Sequence, residues 1–508
     1  MLEIKLLNSA YEYDVRSLSQ AFLGNDIQVQ FIERYNYSQK IVYADEKYNE
    51  PDMYILEAIT DVDRIYLRII NVASEIDEDS IIQLEDTLIN EKDELVYKAT
   101  YKNILKKQMY KLLSKALNKT LPWGTLTGIR PTKIVLDKLN ESQDDDNIKE
   151  YMLDTYLMEE SKVDICLEIA HKEKELLDKI DYKNGYSLYI GIPFCPTRCS
   201  YCSFTSYPLD KYGSQIDDYL EALYKEIEFA STMIKNKTLN TVYIGGGTPT
   251  TLSAQQLKSL IDTVKKWFNF DTVAEFTVEA GRPDSITKDK LEVLKNNGVT
   301  RISINPQTMC QKTLDLIGRK HTVESVVEVF NLAREVGHNN INMDLILGLP
   351  GEDIDDVKYT LDEIHKLQPD SLTVHTLAIK RAAYLNIYKD RYEELLPKHV
   401  TDMVDLTFNY AKNNKLNPYY LYRQKNMTDN LENIGYSLDG KEGIYNILMM
   451  EERQTILALG AGAVCKFIDY ENNRLERLDN VKSLKDYIER IDDMILKKKN
   501  FSLGKGRI

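Results

Sequence analysis

Ser187-Leu-Tyr-Ile-Gly-Ile-Pro-Phe-Cys195-Pro-Thr-Arg-Cys199-Ser-Tyr-Cys202 joins the two signals that decide how this 508-residue chain reads. Its first part, Ser187 to Ile192, is a short apolar run that follows the turn residues Asn184-Gly185, which is the pattern of a strand. Three cysteines are then packed into the loop directly after it. Five further strand-like runs follow at Thr241 to Ile244, Glu275 to Glu279, Arg301 to Asn305, Asn342 to Leu347 and Leu372 to Leu377. Amphipathic stretches separate them. The clearest is Ser214 to Ile234, where Ile216, Leu220, Leu223, Ile227, Ala230 and Ile234 share one helical face. Six strand-helix units in succession imply parallel strands joined by crossover helices. In a parallel barrel, residues at the carboxyl ends of the strands form the active face.

The distinctive residues fall at those ends. The cysteine loop follows the first strand, Gly245-Gly246-Gly247-Thr248-Pro249 follows the second, and Glu279 and Gln307 follow the third and fourth. Thiolates are soft ligands, and the spacing of Cys195, Cys199 and Cys202 lets them reach three corners of an iron-sulfur cubane. The fourth iron is then open to the amine and carboxylate of an amino acid whose sulfonium lies beside the cluster. Structural zinc is the competing reading, but a closed zinc site wants four ligands and no second pair is evident. The other cysteines are scattered: Cys166 and Cys465 read as buried apolar residues, and Cys310 would serve as a fourth ligand only by coincidence.

The glycine run allows a ligand to approach the backbone closely. A phosphate loop would need a following Gly-Lys-Ser/Thr, which is missing. Asp344 interrupts the apolar strand Asn342-Met-Asp-Leu-Ile-Leu-Gly-Leu-Pro350, where an unpaired carboxylate would be costly.

Around this core the chain divides into three expected parts: 1–180, a mixed α+β domain with linking helices; 181–389, the partial (β/α)6 barrel; and 390–508, a smaller, mostly helical region. Strands are expected at Ile27 to Ile32, Tyr54 to Ile59 and Arg64 to Ile70, and a helix at Lys102 to Leu117. A net charge of −15 repels phosphate backbones and argues against nucleic acid as the main partner. No run approaches the ~20 apolar residues of a membrane span. With few scattered cysteines, that is the pattern of a cytoplasmic protein. Lys497-Lys498-Lys499 reads as a solvated helix end in so acidic a chain.

The CxxxCxxC loop with an aromatic at Phe204 resembles the cluster signature of the radical S-adenosylmethionine (SAM) superfamily. A narrower resemblance rests on Tyr189-Ile-Gly-Ile-Pro-Phe-Cys195, Gly245 to Pro249, Arg301-Ile-Ser-Ile-Asn-Pro-Gln307 and Asp344-Leu-Ile-Leu-Gly-Leu-Pro350 in that order. These are similar to the oxygen-independent coproporphyrinogen III oxidase family. Thr277 to Pro283, His375 to Arg381, Tyr419 to Met427 and Trp123 to Pro131 look like its HemZ-type coproporphyrinogen dehydrogenase branch. Two positions depart from some members: Phe204 stands where they have a fourth cysteine, and Gly191 where they have a histidine.

The resemblance implies a 4Fe-4S cluster on Cys195, Cys199 and Cys202, and one or two molecules of SAM. It makes Tyr189, Gly246, Gly247, Thr248, Glu279, Gln307, Arg319 and Asp344 the SAM contacts. The implied reaction abstracts hydrogen from the β-carbon of a propionate of coproporphyrinogen III. Loss of CO2 and an electron then leaves a vinyl group, and two such events give protoporphyrinogen IX. The implied partners are a tetrapyrrole substrate and a reduced flavodoxin- or ferredoxin-type donor. Lys380, Arg381, Arg423 and Lys425 are candidate cations for the propionates. Two alternatives stay open: a heme-binding chaperone, with His375 a candidate axial ligand, and a radical SAM enzyme acting on another tetrapyrrole.

Overall fold

A computed structural model describes all residues except 25, 36, 38–39, 129, 235–236, 379–382, 388–391, 398, 424–430, 473 and 505–508. The chain forms two compact units, Met1–Leu167 and Glu168–Ile508. The first holds a five-stranded sheet of β1 (Leu2–Leu6), β2 (Ile27–Phe31), β3 (Tyr54–Thr60), β4 (Arg64–Asn71) and β5 (Ile76–Gln83), ordered β2-β1-β3-β4-β5. Helices Glu12–Leu23 and Glu94–Leu117 bury Val15, Leu18, Leu105, Met109 and Leu113 in one core with Ile4, Leu56 and Leu67 of the sheet. The expected helix starts eight residues earlier than its apolar periodicity does, because Asp93 caps it by accepting from the backbone N–H groups of Leu95 and Val96.

The second unit contains β6 (Gly185–Ile192), the short pair β7 (Phe194–Cys195) and β8 (Tyr207–Pro208), β9 (Thr238–Gly246), β10 (Glu275–Glu279), β11 (Arg301–Ser303), β12 (Ile341–Leu347) and β13 (Ser371–Thr376). β6, β9, β10, β11, β12 and β13 are neighbours in that order and pair in parallel throughout, giving the expected partial (β/α)6 sheet. The crossover helices form for the anticipated reason. Ile216–Ala230 buries Ile216, Leu220, Leu223, Ile227 and Ala230, and Ala254–Trp267 begins with a Ser253/Gln256 capping box above a buried face of Leu257, Leu260, Ile261 and Val264.

The compact units are divided differently from the expected parts. The boundary at 180 follows the change of sequence pattern at Asn184-Gly185, whereas the division between compact units falls inside the helix Glu160–Leu177. The boundary at 389 does not separate a domain. Beyond it lie the helices Val400–Asn413, Ile444–Met450, Leu484–Glu489 and Ile491–Gly504, and also β14 (Asn417–Tyr422), β15 (Asn433–Ser437), β16 (Thr455–Leu459), β17 (Val464–Asp469) and β18 (Arg474–Asp479). β15 pairs antiparallel with β13, and β16 pairs parallel with β6. The C-terminal residues therefore cover both edges of the parallel sheet, which makes an 11-stranded sheet in the order β14-β15-β13-β12-β11-β10-β9-β6-β16-β17-β18.

The lysine run needs correction. Lys497 and Lys499 are exposed, but Lys498 is 1% exposed and its Nζ lies 2.9 Å from Oε1 of Glu226, which is fully buried. Cys166 and Cys465 are buried as expected. Among the described residues no helix is long and apolar enough to cross a membrane.

Candidate active site

The carboxyl ends of the parallel strands surround a cavity of about 440 Å³. Cys195, Cys199 and Cys202 line it, and so do Tyr189, Gly246, Gly247, Thr248, Glu279, Gln307, Arg319 and Asp344. Residues from six successive strand-ends are thus brought to one space. Arg423 is buried but does not line this cavity, and Lys380, Arg381 and Lys425 lie outside the described residues.

Backbone contacts hold the cysteine loop. Ser200 N–H donates to the Ile317 carbonyl at 3.0 Å, Gly247 N–H to Ile192 at 2.8 Å and Thr248 N–H to Phe194 at 2.7 Å. The Thr248 hydroxyl donates to Cys195 Sγ at 3.6 Å. Arg282, in the loop after β10, also lines the cavity and supports the same segment. Its buried guanidinium makes two hydrogen bonds to Asp284, at 3.0 and 2.7 Å, and also reaches Thr197 Oγ1 at 3.2 Å and Cys199 Sγ at 3.5 Å. Burial pushes the Cys195 thiol up to about 11 and moves the Cys202 thiol upward too, so binding a metal here displaces protons.

Glycine is required beside this loop. A Cβ on Gly247 would lie 2.6 Å from the Phe194 carbonyl oxygen and 3.0 Å from Cys195 Sγ, and Gly246 has φ +113°. The two carboxylates of the cavity are tuned in opposite directions. Glu279 is pushed up to about 7 by burial, which outweighs its acceptance from the Tyr243 hydroxyl at 2.5 Å and the Gly246 N–H at 3.1 Å. Burial also raises Asp344, but His375 at 3.7 Å and the Asn342 amide at 2.7 Å hold it below the ordinary carboxylate range. The carboxylate that seemed costly in the sequence is therefore partnered. His375 in turn meets the Tyr422 hydroxyl at 3.3 Å.

Gln307 has φ +70°, uncommon for a residue with a side chain, and its backbone bonds to both Asp344 and Ile346 hold it there. Its buried Oε1 has no hydrogen-bond partner. Arg319 lines the cavity while its guanidinium donates to the carbonyls of Asn305, Pro306 and Gly281, tying three loops together. Sequence reasoning missed Tyr243, Tyr445 and Met449, which also line the space. Tyr243 stacks on Tyr445 at 4.5 Å. The alternation of Tyr243 with the strand pattern was the only available signal, and Tyr445 comes from a distant helix.

Among the described residues no three His, Cys, Asp or Glu side chains converge as the ligand set of one ion. A cubane takes each thiolate on a separate iron. The donors fit a 4Fe-4S cluster and SAM: three thiols and a glycine cradle against Cys195 line one cavity with Glu279, Gln307 and Asp344. Such a site on such a sheet defines a radical SAM protein, and the Radical SAM superfamily model matches residues 189–364.

The Bacillus subtilis (strain 168) protein named oxygen-independent coproporphyrinogen-III oxidase-like protein HemZ is 42% identical over 395 residues, 77% of this chain and 79% of the relative. The heme chaperone HemW of the same organism is 36% identical over 214 residues, which cover 42% of this chain and 56% of HemW. The solved structure of coproporphyrinogen III oxidase (HemN) from Escherichia coli, described as a radical SAM enzyme, shares the fold at TM-score 0.50 and 23% identity, over 63% of this chain and 73% of HemN. The chain belongs to the HemZ-type branch of the oxygen-independent coproporphyrinogen III oxidase-like family, whose superfamily uses a 4Fe-4S cluster and SAM.

The position of Arg282 leads to a measurable expectation. A cation and an N–H donor beside a ligating sulfur favour the more negative, reduced cluster. Arg282→Gln is expected to retain the cluster but lower its midpoint potential by about 60 mV, a tenfold shift for a one-electron couple. An EPR-monitored redox titration measures this.

Proposed function

We propose that the protein is an oxygen-independent coproporphyrinogen III dehydrogenase, converting two propionates to vinyl groups to give protoporphyrinogen IX. Each propionate loses one hydrogen atom from its β-carbon to the cofactor, one CO2, and one electron to a one-electron acceptor. When bound, the cluster and SAM supply hydrogen abstraction from an unactivated carbon. The chain's own residues hold and orient. Cys195, Cys199 and Cys202 ligate the cluster, Gly246, Gly247 and Thr248 present backbone beside it, and Glu279 takes the cofactor ammonium. Asp344, kept ionised, accepts from ribose hydroxyls, Gln307 offers its unpartnered oxygen, and Arg319 keeps the loops in register. Tyr189, Tyr243 and Tyr445 wall the space against water. A reduced flavodoxin- or ferredoxin-type protein supplies the electron.

The observation that carries this reading is the gathering of all eleven motif residues around one cavity, in a chain alike to HemZ over most of its length. Anaerobic turnover of coproporphyrinogen III with SAM and a reductant, with the tetrapyrrole product identified, tests it. SAM consumption with the substrate left intact would reject it. The similarity to HemW supports a second reading, heme binding without turnover, which stoichiometric heme uptake by the same preparation would reveal.

Glu279 makes the site pH-sensitive. Its folded value near 7 lies above the ordinary 4.5, so its contribution to stability is complete below about 4.5 and is lost as pH rises through about 7. Cofactor binding runs the other way, since the ammonium needs the ionised carboxylate. SAM affinity is expected to fall roughly tenfold between pH 8 and pH 6. Isothermal titration measures it, and Glu279→Gln should bind weakly at both pH values with no such slope.

A further inference from the structure

A second cavity, of about 400 Å³, shares a wall with the first: Tyr189, Phe204, Gly246, Tyr445 and Met449 line both. Its other side is built by the C-terminal part of the sheet. Gly191 of β6, Ala458 of β16 and the turn residues Ala461, Gly462 and Ala463 give it small side chains. Between such a floor and the aromatic rings opposite, the space suits a flat apolar group.

Its polar features are of one sign. Lys466 of β17 and Lys482 are the charged residues that line it. Lys466 Nζ lies 3.5 Å from Glu452, but Glu452 also holds Arg477 at 2.9 Å, so two cations share one carboxylate. Lys482 is exposed, and its stem packs 3.6 Å from where a Gly462 side chain would begin. Its backbone is anchored, because its carbonyl accepts from the Tyr207 hydroxyl at 2.9 Å. In a chain of net charge −15, a cavity whose charged lining among the described residues is two ammonium groups favours anions.

We propose that this second cavity is the binding site for the carboxylate-bearing edge of the ring substrate, with Lys466 and Lys482 as its cationic partners. This rests on the function proposed above. A hydrogen can be taken only from a carbon that lies against the cofactor, so the substrate must occupy space that opens on the cofactor cavity. The second cavity is the space that adjoins it, since five of its lining residues also line the first. A tetrapyrrole with carboxylates at its edge places its apolar body over the glycine-alanine floor and its anions on the lysines. The two lysines join Arg423 and the undescribed Lys380, Arg381 and Lys425 as candidate cations for the carboxylates.

The test uses porphyrin fluorescence with the full-length, cluster-loaded protein and two probes: coproporphyrin III, a tetracarboxylate, and its tetramethyl ester, the same ring without anions. Wild type is expected to bind the acid more tightly than the ester. Lys482→Met, at an exposed position, and the double Lys466→Met/Lys482→Met variant are expected to lose roughly 10- to 100-fold in affinity for the acid with no change for the ester. Ala463→Phe should weaken both probes, with iron content and cluster absorption unaltered.

Affinity for the acid within twofold of wild type in the double variant, or equal binding of acid and ester, overturns the proposal. So does stoichiometric displacement of the porphyrin by excess SAM, which would assign the cavity to a second cofactor molecule. Lysine-dependent binding without turnover would reject the proposed reaction and keep the site. Turnover with an unchanged KM in the double variant would reject the site and keep the reaction.

Discussion

Cys199→Ala is expected to fold normally and yet to bind no stable 4Fe-4S cluster, with reductive SAM cleavage falling below detection. In the function proposed above the sulfur is one of three cluster ligands, so its loss would leave two of them to hold the group. The fold should survive because Cys199 is buried among contacts that do not depend on it: Arg282 keeps Asp284 and Thr197, and Ser200 keeps Ile317. Circular dichroism and thermal melting should therefore match metal-free wild type. Iron content, visible absorption after anaerobic reconstitution, and chromatography for 5′-deoxyadenosine report the loss. Cys310→Ala supplies the control. Cys310 is also buried, but its sulfur faces Asp356 and Thr360 and does not line the cavity, so cluster and cleavage should be retained.

Lys498→Ala should be the most destabilising single change outside the cavity, by about 3–5 kcal/mol. Glu226 receives hydrogen bonds from Asn480 at 2.7 Å, Tyr487 at 2.6 Å and Gly460 N–H at 2.8 Å, and Lys498 is the cation at its centre. Removing the ammonium leaves a fully buried carboxylate with dipoles but no counter-charge. The four elements tied to Glu226 include the C-terminal helix and the turn that shapes the second cavity, so the melting temperature should drop by roughly 5–10 °C. Adding Glu226→Gln to Lys498→Met should recover part of that loss, because the buried charge is then gone. Lys497→Ala, one residue away and exposed, should change stability by less than about 0.5 kcal/mol.

Most of the parallel core was legible because its signals are local. Each expected strand from Ser187 to Leu377 overlaps an observed one, since apolar runs bounded by glycine, proline and asparagine need only neighbouring residues to be recognised. The cavity residues were legible for a related reason, as motif spacing after each strand places side chains on one face of the sheet. The strands β14 to β18 were not. Asn417–Tyr422 reads Asn-Pro-Tyr-Tyr-Leu-Tyr, with neither clean alternation nor helical spacing, and it becomes a strand by pairing with β15 on the edge that β13 leaves open.

The sequence by itself determined the alternation of strands and helices, the three soft ligands in one loop, and the glycines where no Cβ fits. Those properties follow from side-chain chemistry and spacing along the chain. Tertiary structure decided which of two similar carboxylates stays ionised, which lysine of three is buried, and which cations face the second cavity. Each depends on desolvation and on partners far apart in sequence. Glu279 and Asp344 are both acids at strand positions that burial raises, and the imidazole of His375 and the amide of Asn342 beside Asp344 separate them.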